Sequence, residues 1–127
     1  MKLVSIVVPV YNEEDNLREF HKRITEVMAK EPYDYKIVFV NDGSSDNSAV
    51  ILSELAKEDN HVEAYLLSRN YGHQMALTCG LDNAEGDAIV TMDGDMQHPP
   101  EVVPQLLRLW EEGNEIVITK RLATEDA

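Results

Sequence analysis

Cysteine is almost absent from this chain of 127 residues, which contains Cys79 alone. A single cysteine cannot form an intrachain disulfide, and it cannot build a metal site from several thiolates. We therefore expect a reducing, cytoplasmic environment. We also expect no secretory leader, because the apolar N-terminal stretch is short, rich in β-branched residues and without a small-residue cleavage site.

Positive charge and long apolar runs are also scarce. The chain has 11 Lys and Arg against 24 Asp and Glu, which gives a formal net charge of −13. A surface this acidic repels phosphate backbones and anionic lipid, so binding to nucleic acid by counterion release is not expected. No run reaches the roughly 18 apolar residues of a membrane span. Cations are the ligands that this charge favours.

Short β-branched runs alternate with longer amphipathic stretches, which is typical of repeated βα units and a mostly parallel sheet. The predicted strands are almost continuously apolar, as in strands covered on both faces, and span 4–10, 35–40, 62–67, 88–92 and 115–119. The predicted helices span 14–30, 46–57, 72–84 and 100–110. The sequence therefore predicts one α/β domain with helices on both faces of the sheet.

Polar residues follow each of the first four predicted strands, at 11–14, 41–46, 68–73 and 93–98. In an open parallel sheet, the loops at the carboxyl ends of the strands converge on one edge, and ligands bind there. We therefore expect these four segments to form a common site.

Asp93 and Asp95 are the most informative pair at that edge. Two carboxylates separated by one glycine are costly to hold together unless a hard cation lies beside them. Alone, this pattern is weak evidence, because a solvated turn explains it equally well. Its position at a strand end favours Mg²⁺ or Mn²⁺, which typically complete their coordination with substrate phosphates. The predicted ligand is therefore a metal diphosphate.

Other residues of the same edge have both a functional and a structural interpretation. The Asp42 carboxylate can accept N–H groups of a base or ribose hydroxyls, or it can simply form a turn with Gly43. Tyr11 can offer an aromatic face to a base or pack locally. Arg69 is the cation best placed to meet a phosphate, and its alternative is a surface salt bridge. His73, at a helix start, is a weaker candidate for a phosphate contact.

Four segments, taken together and in this order, closely resemble the family 2 glycosyltransferases: SIVVPVYNE at 5–13, VNDGSSD at 40–46, RNYG at 69–72 and MDGDMQHPPE at 92–101. The last segment looks most like the polyprenyl-phosphate glycosyltransferases of that family. The resemblance implies a GT-A nucleotide-diphospho-sugar fold, a UDP- or GDP-sugar donor, a lipid-phosphate acceptor and an inverting, metal-assisted transfer.

The resemblance also implies roles for individual residues. The nucleotide pocket would be lined by Pro9, Tyr11 and Glu13, and Asp42 would contact the base. The metal diphosphate would be engaged by the catalytic pair Asp93 and Asp95, with Gln97 as a further metal contact. Less closely defined neighbours of phosphate or acceptor would be Arg69, Gly72 and Arg121. Uracil and guanine both offer a ring N–H to Asp42, so the base stays open.

The chain departs from the family in its length, because it reaches only the fifth predicted strand. Members of the family continue into an acceptor-binding half, and this subgroup usually adds membrane-associated helices. We therefore expect residues 1–122 to form the donor-binding part of a longer protein at the cytoplasmic face of a membrane, with a polar, frayed tail at 123–127. A sugar hydroxyl acceptor would require a general base, whereas a polyprenyl phosphate is already an anion and can react without one. Any such base is expected outside residues 1–127, in which case this part binds the donor without turning it over.

Two other classes compete with this interpretation. A receiver-like signalling module has a similar length and an acidic Mg²⁺ site, and Lys120 would suit it. It needs an acidic pair after the first strand and a phosphorylatable aspartate after the third, where this chain has Tyr11-Asn12 and Arg69-Asn70. A nucleotidyltransferase would need a glycine-rich, basic phosphate loop after the first strand, and the sequence does not contain one there.

Overall fold

The computed structural model describes residues 2–94 and 99–113. Its strands are β1 (Leu3–Val10), β2 (Asp34–Asn41), β3 (Val62–Leu66) and β4 (Ala88–Thr91). Its helices are α1 (Leu17–Ala29), α2 (Ser48–Glu58), α3 (His73–Asn83) and α4 (Val103–Glu111), and a 3-10 turn at Pro100–Val102 leads into α4. No helix in this described part is both long and apolar enough to cross a membrane.

The four strands and four helices agree with the predicted pattern to within three residues at each end. The first helix begins at Leu17 rather than at residue 14, because the backbone N–H of Asn16 bonds the Glu13 carbonyl and forms a separate turn there. The second helix begins at Ser48, whose N–H is accepted by the Asp46 carboxylate at 2.9 Å. The predicted fifth strand at 115–119 lies outside the described residues.

The four strands form a parallel sheet in the order β3-β2-β1-β4. The chain adds β2 and β3 on one side of β1, and then crosses over to place β4 on the other side. In sheets of this type, the crevice for a ligand lies at the carboxyl ends of the two strands where the order reverses. The topology therefore places that crevice between the ends of β1 and β4.

Helices cover both faces of the sheet, as predicted. One face carries a core of strand residues packed against α1, α2 and α4, in which Phe20 meets Phe39 edge to face at 6.0 Å. The other face is covered by α3, which approaches the sheet through Ala76 and Gly80. A Cβ atom at Gly80 would lie 2.4 Å from Val7 Cγ1, so this close approach requires glycine. The close packing of α3 on the sheet brings the N-terminus of this helix to the predicted crevice.

Candidate functional site

A cleft of about 400 Å³ opens at the carboxyl edge of the sheet, beside the N-terminus of α3. It collects residues from the loops after all four strands. Its lining consists of Pro9, Val10, Tyr11, Glu13, Asp42, Asn70, Gly72, His73, Ala76, Asp93 and Gly94. The structure thus brings the predicted residues Pro9, Tyr11, Glu13, Asp42, Gly72 and Asp93 into one cavity.

The end of β1 forms one wall of the cleft. Tyr11 is 49% exposed, so its ring is accessible to a ligand. Asn12 follows with φ of +54°, in the left-handed region where asparagine is better tolerated than most residues. The Glu13 carboxylate accepts a hydrogen bond of 2.9 Å from the Asn16 side chain. The chain therefore leaves β1 in a tight, internally bonded turn that exposes an aromatic ring to the cavity.

Asp42 forms the floor of the cleft and joins two of its loops. The residue is buried, with only 3% of its surface exposed. Oδ1 accepts the Tyr71 N–H at 2.8 Å, and Oδ2 accepts the Gly72 N–H at 3.0 Å and the Asn70 side-chain amide at 3.2 Å. A carboxylate oxygen can accept two hydrogen bonds, so Oδ1 retains capacity for a ligand N–H. Asp42 is therefore an anchor of the loop after β3 as well as a cleft residue.

Gly43 permits this contact between the two loops. Its φ is +67°, and a Cβ atom there would lie 2.2 Å from the carbonyl carbon of Arg69 and from the backbone nitrogen of Asn70. No side chain fits in that space without moving the loop after β3. The turn after β2 is therefore shaped by a long-range contact as well as by its own sequence.

Asp93 lies in the loop after β4 and lines the same cleft. Its Oδ1 is 3.1 Å from His73 Nε2 on α3, and the side chains of the two residues are 23% and 61% exposed. The predicted partners Asp95, Gln97 and Arg121 lie outside the described residues. Within residues 2–94 and 99–113, no group of three or more His, Cys, Asp or Glu side chains is arranged to hold a metal ion. Asp93 is thus the carboxylate that the described part of the loop after β4 contributes to the cleft.

Arg69 does not line the cleft as the described residues define it. Its guanidinium carbon lies 4.8 Å from the centre of the Tyr71 ring, in a cation–π contact. Hydrogen bonds from Ser68 and Arg69 lower the pKa of the Tyr71 hydroxyl below its ordinary value. This geometry puts the charge of Arg69 beside Tyr71, and its expected contact with a phosphate stays a prediction.

Asn70 is a cleft residue for which no sequence pattern indicates a role of its own. It lines the cavity, and its side-chain amide also donates to the Asp42 carbonyl oxygen at 3.1 Å. Its position within RNYG, one of the four recognised segments, is the signal that could have identified it. Its function depends on Asp42, which is 28 positions away in the chain, so local sequence alone does not reveal the contact.

Comparison with known proteins gives a family match over almost the whole chain. The family model described as glycosyl transferase family 2 matches residues 5–127. The undecaprenyl-phosphate 4-deoxy-4-formamido-L-arabinose transferase of Proteus mirabilis is 45% identical over 125 residues, which cover 98% of this chain and 38% of that protein. The bactoprenol glucosyl transferase of Shigella phage SfV is 43% identical over 118 residues, covering 93% of this chain and 38% of that protein.

Solved structures show the same fold. Glucosyl-3-phosphoglycerate synthase from Mycobacterium tuberculosis, solved with UDP, has a TM-score of 0.70 at 21% identity and covers 89% of this chain and 41% of its own. The mannosyltransferase PcManGT from Pyrobaculum calidifontis, solved with GDP-Man and Mn²⁺, has a TM-score of 0.64 at 24% identity and covers 74% and 28%. These likenesses confirm the expected GT-A fold, of which the chain is an N-terminal part.

The chain spans less than two fifths of the length of the two curated relatives named above. The family match favours the transferase interpretation over the receiver-like module. The described structure agrees, because the loops after β1 and β3 present Tyr11, Asn12, Arg69 and Asn70 where a receiver needs carboxylates.

Proposed function

The chain belongs to glycosyl transferase family 2, and from this premise we propose that it is the donor-binding part of an enzyme that transfers a sugar from a nucleotide diphosphate to a polyprenyl phosphate. The observation that carries the proposal is the cleft itself. It places an exposed aromatic ring, a buried carboxylate and a second carboxylate at the carboxyl edge of the sheet, where β1 and β4 separate. The ring and the buried carboxylate suit the base of a nucleotide-sugar, and the second carboxylate suits a divalent cation bound to its diphosphate.

The base binds between Tyr11 and Asp42 in this proposal. An accessible ring can stack on a base, and Asp42 Oδ1 can accept one more N–H. The ring N–H of uracil and that of guanine satisfy this requirement equally. Structural neighbours contain both kinds of nucleotide, UDP in one case and GDP-Man in the other. We therefore propose a uridine or guanosine diphosphate donor, with Pro9 and Glu13 completing the wall.

The diphosphate end of the donor lies at Asp93. A partly exposed carboxylate at a cleft is the hard oxygen ligand that Mg²⁺ and Mn²⁺ prefer, and one or two such groups suffice when phosphates and water complete the coordination. On the family resemblance we assign Asp95 and Gln97 as the further ligands, and Mn²⁺ in PcManGT supports a divalent cation. Such an ion, when bound, offsets the negative charge that develops on the departing diphosphate.

The acceptor is a lipid phosphate in this proposal, because the two curated relatives act, by name, on undecaprenyl phosphate and bactoprenol. A phosphate oxygen attacks the anomeric carbon as the bond from that carbon to the diphosphate oxygen breaks, which inverts the configuration. The attacking oxygen is already anionic at pH 7, so no proton has to be removed. The cleft residues then have to bind and orient the donor. Gly72 lies in the cleft, and Arg69 and Arg121 remain proposed neighbours of phosphate or acceptor.

Calorimetric titration with UDP, GDP and their sugar conjugates, with Mn²⁺ and then with EDTA, tests the proposal. We expect one nucleotide series to bind in a metal-dependent way, and Asp93→Asn and Asp95→Ala to weaken binding at least tenfold. Asp34→Asn is the matched control, because it removes the same charge from an exposed residue at the start of β2, away from the cleft. Metal-independent binding, or equal effects of the control and the cleft variants, would contradict the proposal.

A further inference from the structure

Two loops of the cleft are joined by a set of reciprocal hydrogen bonds that the proposed function does not use. The β1 loop comprises residues 11–15, and the β2 loop comprises residues 42–47 and leads into Ser48, the first residue of α2. Asn12 lies at the centre of the contact. Its Oδ1 accepts the backbone N–H of Ser45 at 2.8 Å and that of Asp46 at 3.3 Å, and its own N–H donates to Ser44 Oγ at 2.9 Å. One residue therefore both gives and receives hydrogen bonds across the two loops.

Three further hydrogen bonds extend this contact along both loops. The Glu13 N–H donates to Ser48 Oγ at 3.0 Å, and the Glu14 N–H donates to Asp46 Oδ2 at 3.1 Å. In the opposite direction, the Asn47 N–H donates to Glu14 Oε1 at 2.8 Å. Ser48 is fully buried, so this contact fixes the β1 loop against the interior rather than against solvent. The β1 loop is therefore held to the β2 loop at three successive residues, Asn12, Glu13 and Glu14.

The backbone at Asn12 sets the direction of its two neighbours, Tyr11 and Glu13, and both of these line the cleft. Among the described residues, Asn12 is the only one other than glycine with positive φ. Asparagine is among the few side chains that adopt this conformation at modest cost, and here its amide is also the acceptor for the β2 loop. The residue type therefore satisfies a backbone requirement and a hydrogen-bonding requirement at once.

We propose that Asn12 is a positioning residue for the donor nucleotide. Its amide, held in the left-handed backbone, fixes Tyr11 and Glu13 opposite Asp42 before the ligand arrives. This inference rests on the proposed function, because it takes the cleft to be the nucleotide site. A wall that is already ordered does not have to be ordered on binding, so losing the amide weakens the affinity without removing any group that touches the ligand.

Three substitutions at Asn12 separate its two contributions. Asn12→Asp keeps an acceptor oxygen and tolerance of the left-handed conformation. Asn12→Gly keeps the conformation and loses the acceptor, and Asn12→Ala loses both. Ser44→Ala removes the acceptor of the Asn12 N–H and leaves residue 12 unchanged, so it tests the contact even if a variant at position 12 fails to fold. Ser53→Ala, on α2, is the matched control.

The experiment measures amide hydrogen exchange and, by calorimetry, the affinity for UDP and GDP with Mn²⁺. In Asn12→Gly we expect faster exchange at Ser45, Asp46 and Glu14 and an affinity lowered about tenfold, which corresponds to the loss of one or two hydrogen bonds. Asn12→Asp should restore both properties, Asn12→Ala should be weaker than Asn12→Gly, and Ser44→Ala should be intermediate.

Unchanged affinity in folded Asn12→Gly and Ser44→Ala, while the unsubstituted protein binds nucleotide, would overturn the inference and leave the proposed function standing. Unchanged amide exchange in both variants would overturn it as well, because the two loops would then not depend on this contact. Failure of the unsubstituted protein to bind any nucleotide would overturn the proposed function and the inference together.

Discussion

Replacing Asp42 by asparagine tests whether this carboxylate anchors the loop after β3. The change is nearly isosteric, and it turns one acceptor oxygen into an NH₂ group. The carboxylate accepts the N–H groups of Tyr71 and Gly72 on different oxygens, so an amide must present its own N–H to one of them. Because Asp42 is 3% exposed, little water can compensate for the lost bond.

The expected cost follows from these contacts. A hydrogen bond to a charged group contributes about 1.5–3 kcal/mol, and a buried donor left without an acceptor costs about 1–3 kcal/mol. Since the loop can relax in part, we expect Asp42→Asn to lower the free energy of unfolding by about 2–4 kcal/mol. Urea unfolding followed by circular dichroism measures this change directly, as a lower midpoint at an unchanged slope.

Two comparisons make the result decisive. Asp34→Asn, at an exposed position, should change the free energy of unfolding by less than about 0.5 kcal/mol. Asn70→Ala removes an amide that donates to the Asp42 carboxylate at 3.2 Å and to the Asp42 carbonyl oxygen at 3.1 Å, and it leaves the Tyr71 and Gly72 N–H bonds in place, so it should cost about 1 kcal/mol. A cost for Asp42→Asn as small as that of Asp34→Asn would refute the anchoring role and leave Asp42 as a ligand contact alone.

Three further predictions concern other contacts of the structure. Gly43→Ala should lower the free energy of unfolding in urea by about 2–4 kcal/mol, because it adds left-handed backbone strain and an overlap with the loop after β3. Gly113→Ala, where φ is +109° and the surrounding space is open, should cost only the strain, about 1–2 kcal/mol. Burial raises the pKa of Asp59, but hydrogen bonds from His61 and His21 outweigh burial and hold that pKa below its ordinary value. The stability that the Asp59 carboxylate contributes is therefore complete above about pH 4 and is lost as the pH falls through the folded pKa. Asp59→Asn should flatten that part of a profile of melting temperature against pH. His73→Leu should lower the affinity for Mn²⁺ in the presence of nucleotide several-fold, because it removes the hydrogen bond that orients the Asp93 carboxylate, and His73→Gln, which can still donate, should retain it; equal affinities in the two variants would contradict this role.

Much of the fold follows from the sequence because its signals are local. The β-branched runs predict the four described strands, and the apolar stripe of residues 17–28 predicts α1, since each pattern reflects the period of its own element. The edge of the sheet that carries the cleft is equally predictable. Asp42 and Asp93 come directly after parallel strands, and the carboxyl ends of such strands meet at one edge, whatever their order.

Tertiary structure alone decides how the residues of that edge are used. The order β3-β2-β1-β4 puts β4 beside β1, and the N-terminus of α3 reaches the cleft because Gly80 lets α3 lie close to Val7. These relations depend on packing between distant segments, which no local pattern encodes.

Asp42 and Asn12 show the same division between local and distant information. By sequence, Asp42 is a turn former or a base contact, and Asn12 is an unremarked member of a recognised segment. In the fold, Asp42 accepts N–H groups from residues 28 to 30 positions away, and Asn12 bonds residues 32 to 34 positions away. The sequence by itself determined which elements form and which edge of the sheet carries the cleft, and the three-dimensional packing determined which residues support that cleft, because hydrogen bonds between loops exist only once the strands have aligned.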